Sequence, residues 1–162
     1  MAQSFHAQVS DWAGASKERL TAVFRDATQT VANEVRKPKA AGGNMPVDLG
    51  NLRRSLMAST AALPSVQTGN DQTFADNDGQ ITLVIAGAQL GQTIYLGFQA
   101  GYARRREYGF DGADSLGRYY SERGDGFVRL TAQRWPEIVA ESARKIQRRT
   151  EARAAFSAAP TT

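Results

Sequence analysis

The chain has 162 residues, 41% of them hydrophobic, with 20 Lys and Arg against 16 Asp and Glu. That length suits one domain around one core, and a mean hydropathy of -0.44 is that of a water-soluble chain. The lack of Cys excludes disulfides, thiolate nucleophiles, thiolate zinc sites and iron–sulfur clusters, and a single histidine, His6, excludes multi-histidine metal sites and argues against a Ser-His-Asp triad.

The first residues, MAQSFHAQVSDW, lack the basic start and apolar run of a secretory leader, so the expected origin is cytosolic. Residues 4–35 then read as one amphipathic helix. Phe5, Val9, Trp12, Leu20, Val23, Phe24, Ala27, Val31 and Val35 fall at steps of three and four, with Ser16 filling one slot and Lys17, Glu18, Arg25, Asp26 and Glu34 on the other side. Gly14 is a weak point where a kink is expected. A helix of that length spans roughly 48 Å, against a diameter of roughly 40 Å for a compact chain of this size. The helix should therefore overhang its own domain, and its apolar stripe should need a partner chain.

Residues 38–47, PKAAGGNMPV, read as a linker. Asp48, Gly50 and Leu52 define a turn, with Asp48 expected to cap a short helical segment before Arg53 and Arg54. A first strand is expected over 55–62, and an acidic surface loop over 64–79, with Asp71, Asp76 and Asp78. Ile81, Leu83 and Ile85 alternate with Thr82, Val84 and Ala86, the pattern of a strand, and 93–100 is a second strand expected to pair with it in a hairpin. Residues 79–103 carry no charge, but Gln80, Gln89, Gln92 and Gln99 interrupt them, as do Gly87, Gly91, Gly97 and Gly101, which argues against a membrane span. Residues 102–108 read as an extended or partly helical segment whose Glu107 and Tyr108 end a strand, and 111–126 as a glycine-rich loop. Helical spacing returns over 127–153 with a kink at Pro136, and 154–162 read as a disordered tail. The expected architecture is α+β in a single domain, 1–153: a small antiparallel sheet within 48–110, packed by a long N-terminal and a long C-terminal helix.

The chemistry of a site is mostly missing. No phosphate-binding loop is present. FADNDG imitates part of a calcium loop, but its register puts Phe74 and Ile85 at ligand positions. Glu107 with Asp111 or Asp114 is the only carboxylate pairing that could serve a cell-wall hydrolase, and Arg104, Arg105 and Arg106 beside Glu107 mark it as an ion-pair partner instead. Basic groups remain: Arg36, Lys37, Lys39, Arg53 and Arg54; the run 104–106; and the face of the last helix with Arg144, Lys145, Arg148 and Arg149. They suit ion pairs between subunits or sequence-independent contact with a phosphate backbone. The second use makes a DNA-binding or packaging accessory protein the alternative function.

Three segments carry a resemblance. MPVDLGNLRRSL at 45–56, Tyr102-Ala103 running to Glu107-Tyr108-Gly109, and Phe127-Val128-Arg129 at the start of the last helix occur in this order after a long N-terminal helix. Over roughly residues 5–150 the chain resembles the gene-product-ten-like tail-completion family of lambda-like siphophages and related prophages. The resemblance implies a virion structural protein of the head–tail junction, without catalytic residues or cofactor, assembled in the bacterial cytoplasm. It implies a ring, by the symmetry of the neck a hexamer, that meets head-closure or connector proteins on one side and tail-tube or terminator proteins on the other. Contact with packaged DNA is compatible with it. On this reading Arg104, Arg105, Arg106, Glu107 and Tyr108 are expected at a subunit boundary. Tyr119 and Tyr120 should lie there too, on a loop that orders only against a neighbour.

Overall fold

Ser4 opens the first helix, its hydroxyl accepting the N–H of Ala7 at 3.3 Å. In the computed structural model, which describes residues 4–69 and 72–157, α1 runs unbroken from Phe5 to Glu34, through Gly14. Pro38 follows. Residues 38–47 are not an open linker. A 3-10 turn at Lys39–Ala41 closes on Gly42, Pro38 and Met45 form a parallel bridge, and the Met45 side chain is fully buried.

A short α2, Asn51–Arg54, leads into β1, Leu56–Ser59. The cap position of α2 is Gly50, in the left-handed region at φ 73°, and no side chain caps the helix. The capping role expected of Asp48 is therefore absent, and Asp48 is exposed, whereas Gly50 and the buried Leu52 do make the turn. A β-carbon at that φ is strained, which explains the glycine.

The segment expected as the strand 81–86 is instead helix α3, Asp78–Gly87. Its β-branched residues also fit helical spacing. Ile81 and Ile85 are buried against Ala32, Val35, Leu56 and Ala58, while Leu83, which a strand would have turned to the same side, is exposed. Packing under α1 outweighs the strand preference of Ile, Val and Thr, a weak and context-dependent term. Polar bonds fix both ends. Asp76 accepts the N–H of Asp78 at 3.0 Å, and the Arg25 guanidinium donates to the Ala88 carbonyl at 2.8 Å. The expected hairpin with 93–100 does not form. β2, Tyr95–Phe98, pairs antiparallel with β1, Leu56 opposite Phe98 and Ser59 opposite Tyr95.

Residues Ala103–Tyr108 are helix α4, so Glu107 and Tyr108 end a helix and not a strand. The expected loop 111–126 is mostly a β-hairpin. β3, Gly109–Ala113, pairs with β4, Tyr119–Arg123, in register from Gly109 opposite Arg123 to Ala113 opposite Tyr119. Asp114 closes its turn by accepting the N–H groups of Leu116 and Arg118, both at 2.9 Å, and the Arg118 guanidinium at 2.8 Å. Gly109, at φ 86°, lies where the backbone of Gly124 passes so closely that a β-carbon would meet its nitrogen at 2.7 Å. Glycines that read as loop formers serve here as close-approach points of a folded hairpin.

The C-terminal helix is divided, as expected, near Pro136: α5 is Phe127–Gln133 and α6 is Trp135–Ser157. Pro136 sits in the first turn of α6, where its missing N–H costs nothing. The expected disordered tail is corrected over Ala154–Ser157, which are helical; residues 158–162 of that expectation, like Asp71, lie outside the described residues. α1 and α6 pack antiparallel, tied by Arg134 to Glu34 at 3.0 Å and by Lys145 to Asp26 at 2.5 Å. The fold class is thus α+β with a long helix at each end, and the antiparallel strands form two two-stranded sheets. Two buried clusters hold it. One gathers Ala32, Val35, Leu56, Ala58, Ile81 and Ile85. The other gathers Met45, Leu52, Ala100, Ala103 and Phe127, and Phe98 meets Phe127 edge to face, with centroids 5.2 Å apart.

Candidate functional site

The three segments that carry the family resemblance converge on the second cluster. Met45 and Leu52 come from the first, Ala103 from the second and Phe127 from the third. Glu107 ties the last two together. Its carboxylate is buried and accepts the N–H groups of Val128 and Arg129, each at 2.9 Å. Those are two of the donors that the start of α5 leaves without helical partners, and a carboxylate there also suits the positive end of the helix. Glu107 is therefore an internal cap supplied from a different helix, and not a subunit-boundary residue.

The arginine run divides in the same way. Arg105 forks onto Glu122 at 3.0 and 2.8 Å and lies over the rings of Phe110 and Tyr120, 4.5 and 5.2 Å from their centroids. The hydrogen bond from Arg105 holds the Glu122 carboxyl below its ordinary range, against a smaller opposing effect of burial. Arg106 pairs with Asp125 at 2.8 Å, and Lys39 pairs with the same carboxylate. Tyr120 is thereby half-buried under Arg105. Among the expected boundary residues, Arg104, Tyr108 and Tyr119 stand on the surface. The Tyr119 hydroxyl donates to Asp111. The carboxylates that the sequence offers as a hydrolase pair are all engaged: Glu107 on α5, Asp111 on Tyr119 and Asp114 on its own turn.

Most cations of 36–54 also have partners within the chain. Arg36 is buried and donates to the Ala32 carbonyl at 2.8 Å while pairing with Asp78. Lys37 lies 3.7 Å from Glu34, and Arg54 donates to the carbonyls of Phe74 and Leu49 at 2.8 and 3.2 Å. On α6, Lys145 is spent on Asp26. Burial disfavours the charge on Asp26, but hydrogen bonds from Lys145 and Ser142 and the charges of Lys145 and Arg149 outweigh it and hold the carboxyl below its ordinary range. Arg144, Arg148 and Arg149 remain exposed on the same helix. Three such guanidinium groups make a small phosphate footprint.

Two surfaces escaped the reading of the sequence. The first is a groove of about 820 Å³ lined by Pro46, Val47, Leu49, Leu52, Arg54, Tyr102 and Arg106, among others. Val47, Leu49 and Tyr102 present apolar surface in it, Leu49 at 82% exposure. The available signal was two apolar residues flanking Asp48 in a loop with no strand or helix to bury them. The second is the bare end of α1, where Phe5 is 81%, Trp12 68% and Leu20 56% exposed. Here the overhang was expected from the sequence, and the groove was not. Among the described residues no His, Cys, Asp and Glu side chains gather to hold a metal, and no helix is long and apolar enough to cross a membrane. Comparison with protein-family models, with curated proteins and with solved structures returns no match to this chain.

Proposed function

We propose that this chain is a virion structural subunit of a tailed bacteriophage, a tail-completion or tail-terminator protein that works as a ring at the head–tail junction. One observation carries the reading: the three segments that resemble the family are far apart in sequence, yet they pack on one another around Met45, Leu52, Ala103 and Phe127. Their packing as one unit supports reading the three segments together. The polar groups near them are engaged in holding the fold, as Glu107, Arg105 and Asp125 are. Apolar surface lies open instead on a helix end and in a groove. That distribution suits a part that works by contact. Identical subunits joined head to tail close a ring by cyclic symmetry, and the ring joins tail to neck by position and stiffness.

The test is genetic and visual. Deleting the coding sequence from the genome that carries it should leave heads and tails unjoined in electron micrographs, and supplying the protein in trans should restore whole particles. Normal particles in its absence would overturn the proposal. A DNA-binding accessory role makes a different forecast: binding of duplex DNA by the purified chain that weakens steeply as salt is raised.

A further inference from the structure

We infer that copies of this chain join by seating the bare end of α1, residues 5–20, in the groove beside α2 of the next copy. The inference deepens the ring reading and rests on it for the requirement that copies meet; the contact itself is argued from geometry. The apolar stripe of α1 runs the length of the helix, with Ser16 filling one slot between Trp12 and Leu20. Its continuation at Ala27, Val31 and Val35 is packed or buried within the chain, but Phe5, Val9, Trp12 and Leu20 are uncovered. The antiparallel ion pairs bring the end of α6 toward this same half, and Phe156 there is 86% exposed. At roughly 150–250 Å² for each whole aromatic side chain, Phe5, Trp12 and Phe156 offer roughly 350–600 Å². A standard interface takes about 800 Å² from each partner, so this patch supplies roughly half to three quarters of one side.

The groove cannot be filled by its own arm. Met45 donates its N–H to the Lys37 carbonyl at 3.0 Å, so the groove, which begins at Pro46, lies at the C-terminal end of α1. A straight helix of 30 residues puts Phe5 about 45 Å, and Leu20 about 20 Å, from that end. Arm and groove therefore face opposite ends of one molecule, the arrangement that yields head-to-tail contacts and, where the rotation closes, rings. The groove also suits an apolar guest. Its two guanidinium groups already have partners, Arg54 the carbonyls of Phe74 and Leu49 and Arg106 the carboxylate of Asp125. Val47, Leu49 and Tyr102 are its exposed apolar surface, and the exposed Asp48 carboxylate on the same lining disfavours a phosphate.

Because the chain has no native Cys, cross-linking tests the pairing directly. Val9→Cys and Leu49→Cys both alter exposed side chains and should leave the fold intact, which circular dichroism checks. At about 100 μM subunit, above the micromolar constants of weak interfaces, a short bismaleimide should link the double variant into a ladder of oligomers. Each single variant alone should stay monomeric, and an equal mixture of the two should stop at dimers. Trp12→Ala in the double variant should abolish the ladder. Dimers from Val9→Cys alone mean arm on arm, dimers from Leu49→Cys alone mean groove on groove, and no cross-link in any sample means no such contact; each result overturns the inference. Oligomers seen by light scattering without the ladder overturn the arm-in-groove contact and leave the ring standing, whereas the ring itself answers to the deletion experiment.

Discussion

From Thr21 to Val35 most of α1 is at least partly covered by its own chain; from Phe5 to Leu20 most of its residues are exposed. Both halves carry the same apolar spacing. The difference lies in what stands opposite. Glu34 reaches Arg134 at the junction of α5 and α6, Asp26 reaches Lys145 on α6, and Ala32 and Val35 reach α3 and β1. Beyond that, Gln147 to Ser157 of α6 are themselves exposed. A stripe on a helix declares that something covers it, and the identity of the cover is a property of the whole molecule or of its assembly.

The comparison should appear in stability measurements as a steep gradient. Phe127 belongs to the covered region and is 1% exposed. Phe127→Ala removes the edge of its pair with Phe98 and leaves a cavity, at a cost of about 3–5 kcal/mol by urea denaturation. A loss below about 1 kcal/mol would mean that the second cluster is not a core. Glu107→Ala comes next. It strips two N–H groups at the start of α5 of a charged acceptor, and about 2–3 kcal/mol should be lost. Glu107→Gln, which keeps one acceptor oxygen, should recover part of that loss. An unchanged midpoint in the Ala variant would show that water replaces the carboxylate.

Asp26 sits where the covered half gives way, and its effect depends on pH. Its carboxyl is held below 3.8 in the folded state, so the stability it contributes is present above the unfolded value and is lost as pH falls through the lower folded one. Thermal midpoints of Asp26→Asn and the parent should differ above about pH 4 and converge toward pH 2. At neutral pH the gap should be small, about 1 kcal/mol or less, because Lys145 is half-exposed. A gap that widens on acidification would contradict this sign. The smallest expected effect is at the bare end. Trp12→Ala should change the stability of the monomer by no more than about 0.5 kcal/mol while removing self-association. If it destabilised the monomer as Phe127→Ala does, the two halves of α1 would not differ as described.

The two terminal helices were legible because a 3.6-residue period repeated over many turns has one regular solution, and Pro136 marks the break beside it. Residues 81–86 were not, because a short run of Ile, Leu and Val fits two periods, and only Ala32, Val35, Leu56 and Ala58 around them select the helix. The hairpin 109–123 hid behind its glycines, whose use as close-approach points is visible only once Gly124 crosses Gly109. Asp48 stood where a cap belongs, but Gly50 occupies that position with a left-handed backbone.

By itself, then, the sequence determined the α+β class, the long helix at each end, the apolar stripe that outruns the domain, and the lack of thiolate and multi-histidine chemistry. These follow from period, length and residue inventory, which need no partner. Only the tertiary structure decided that Glu107 caps α5, that Arg105 and Arg106 point into the chain, and that Val47, Leu49 and Tyr102 share one groove. Glu107 meets Val128 from 21 positions earlier in the chain, and Leu49 shares the groove with Tyr102 across a strand pair and two helices. Contacts of that kind are set by how elements pack, and no local pattern records them.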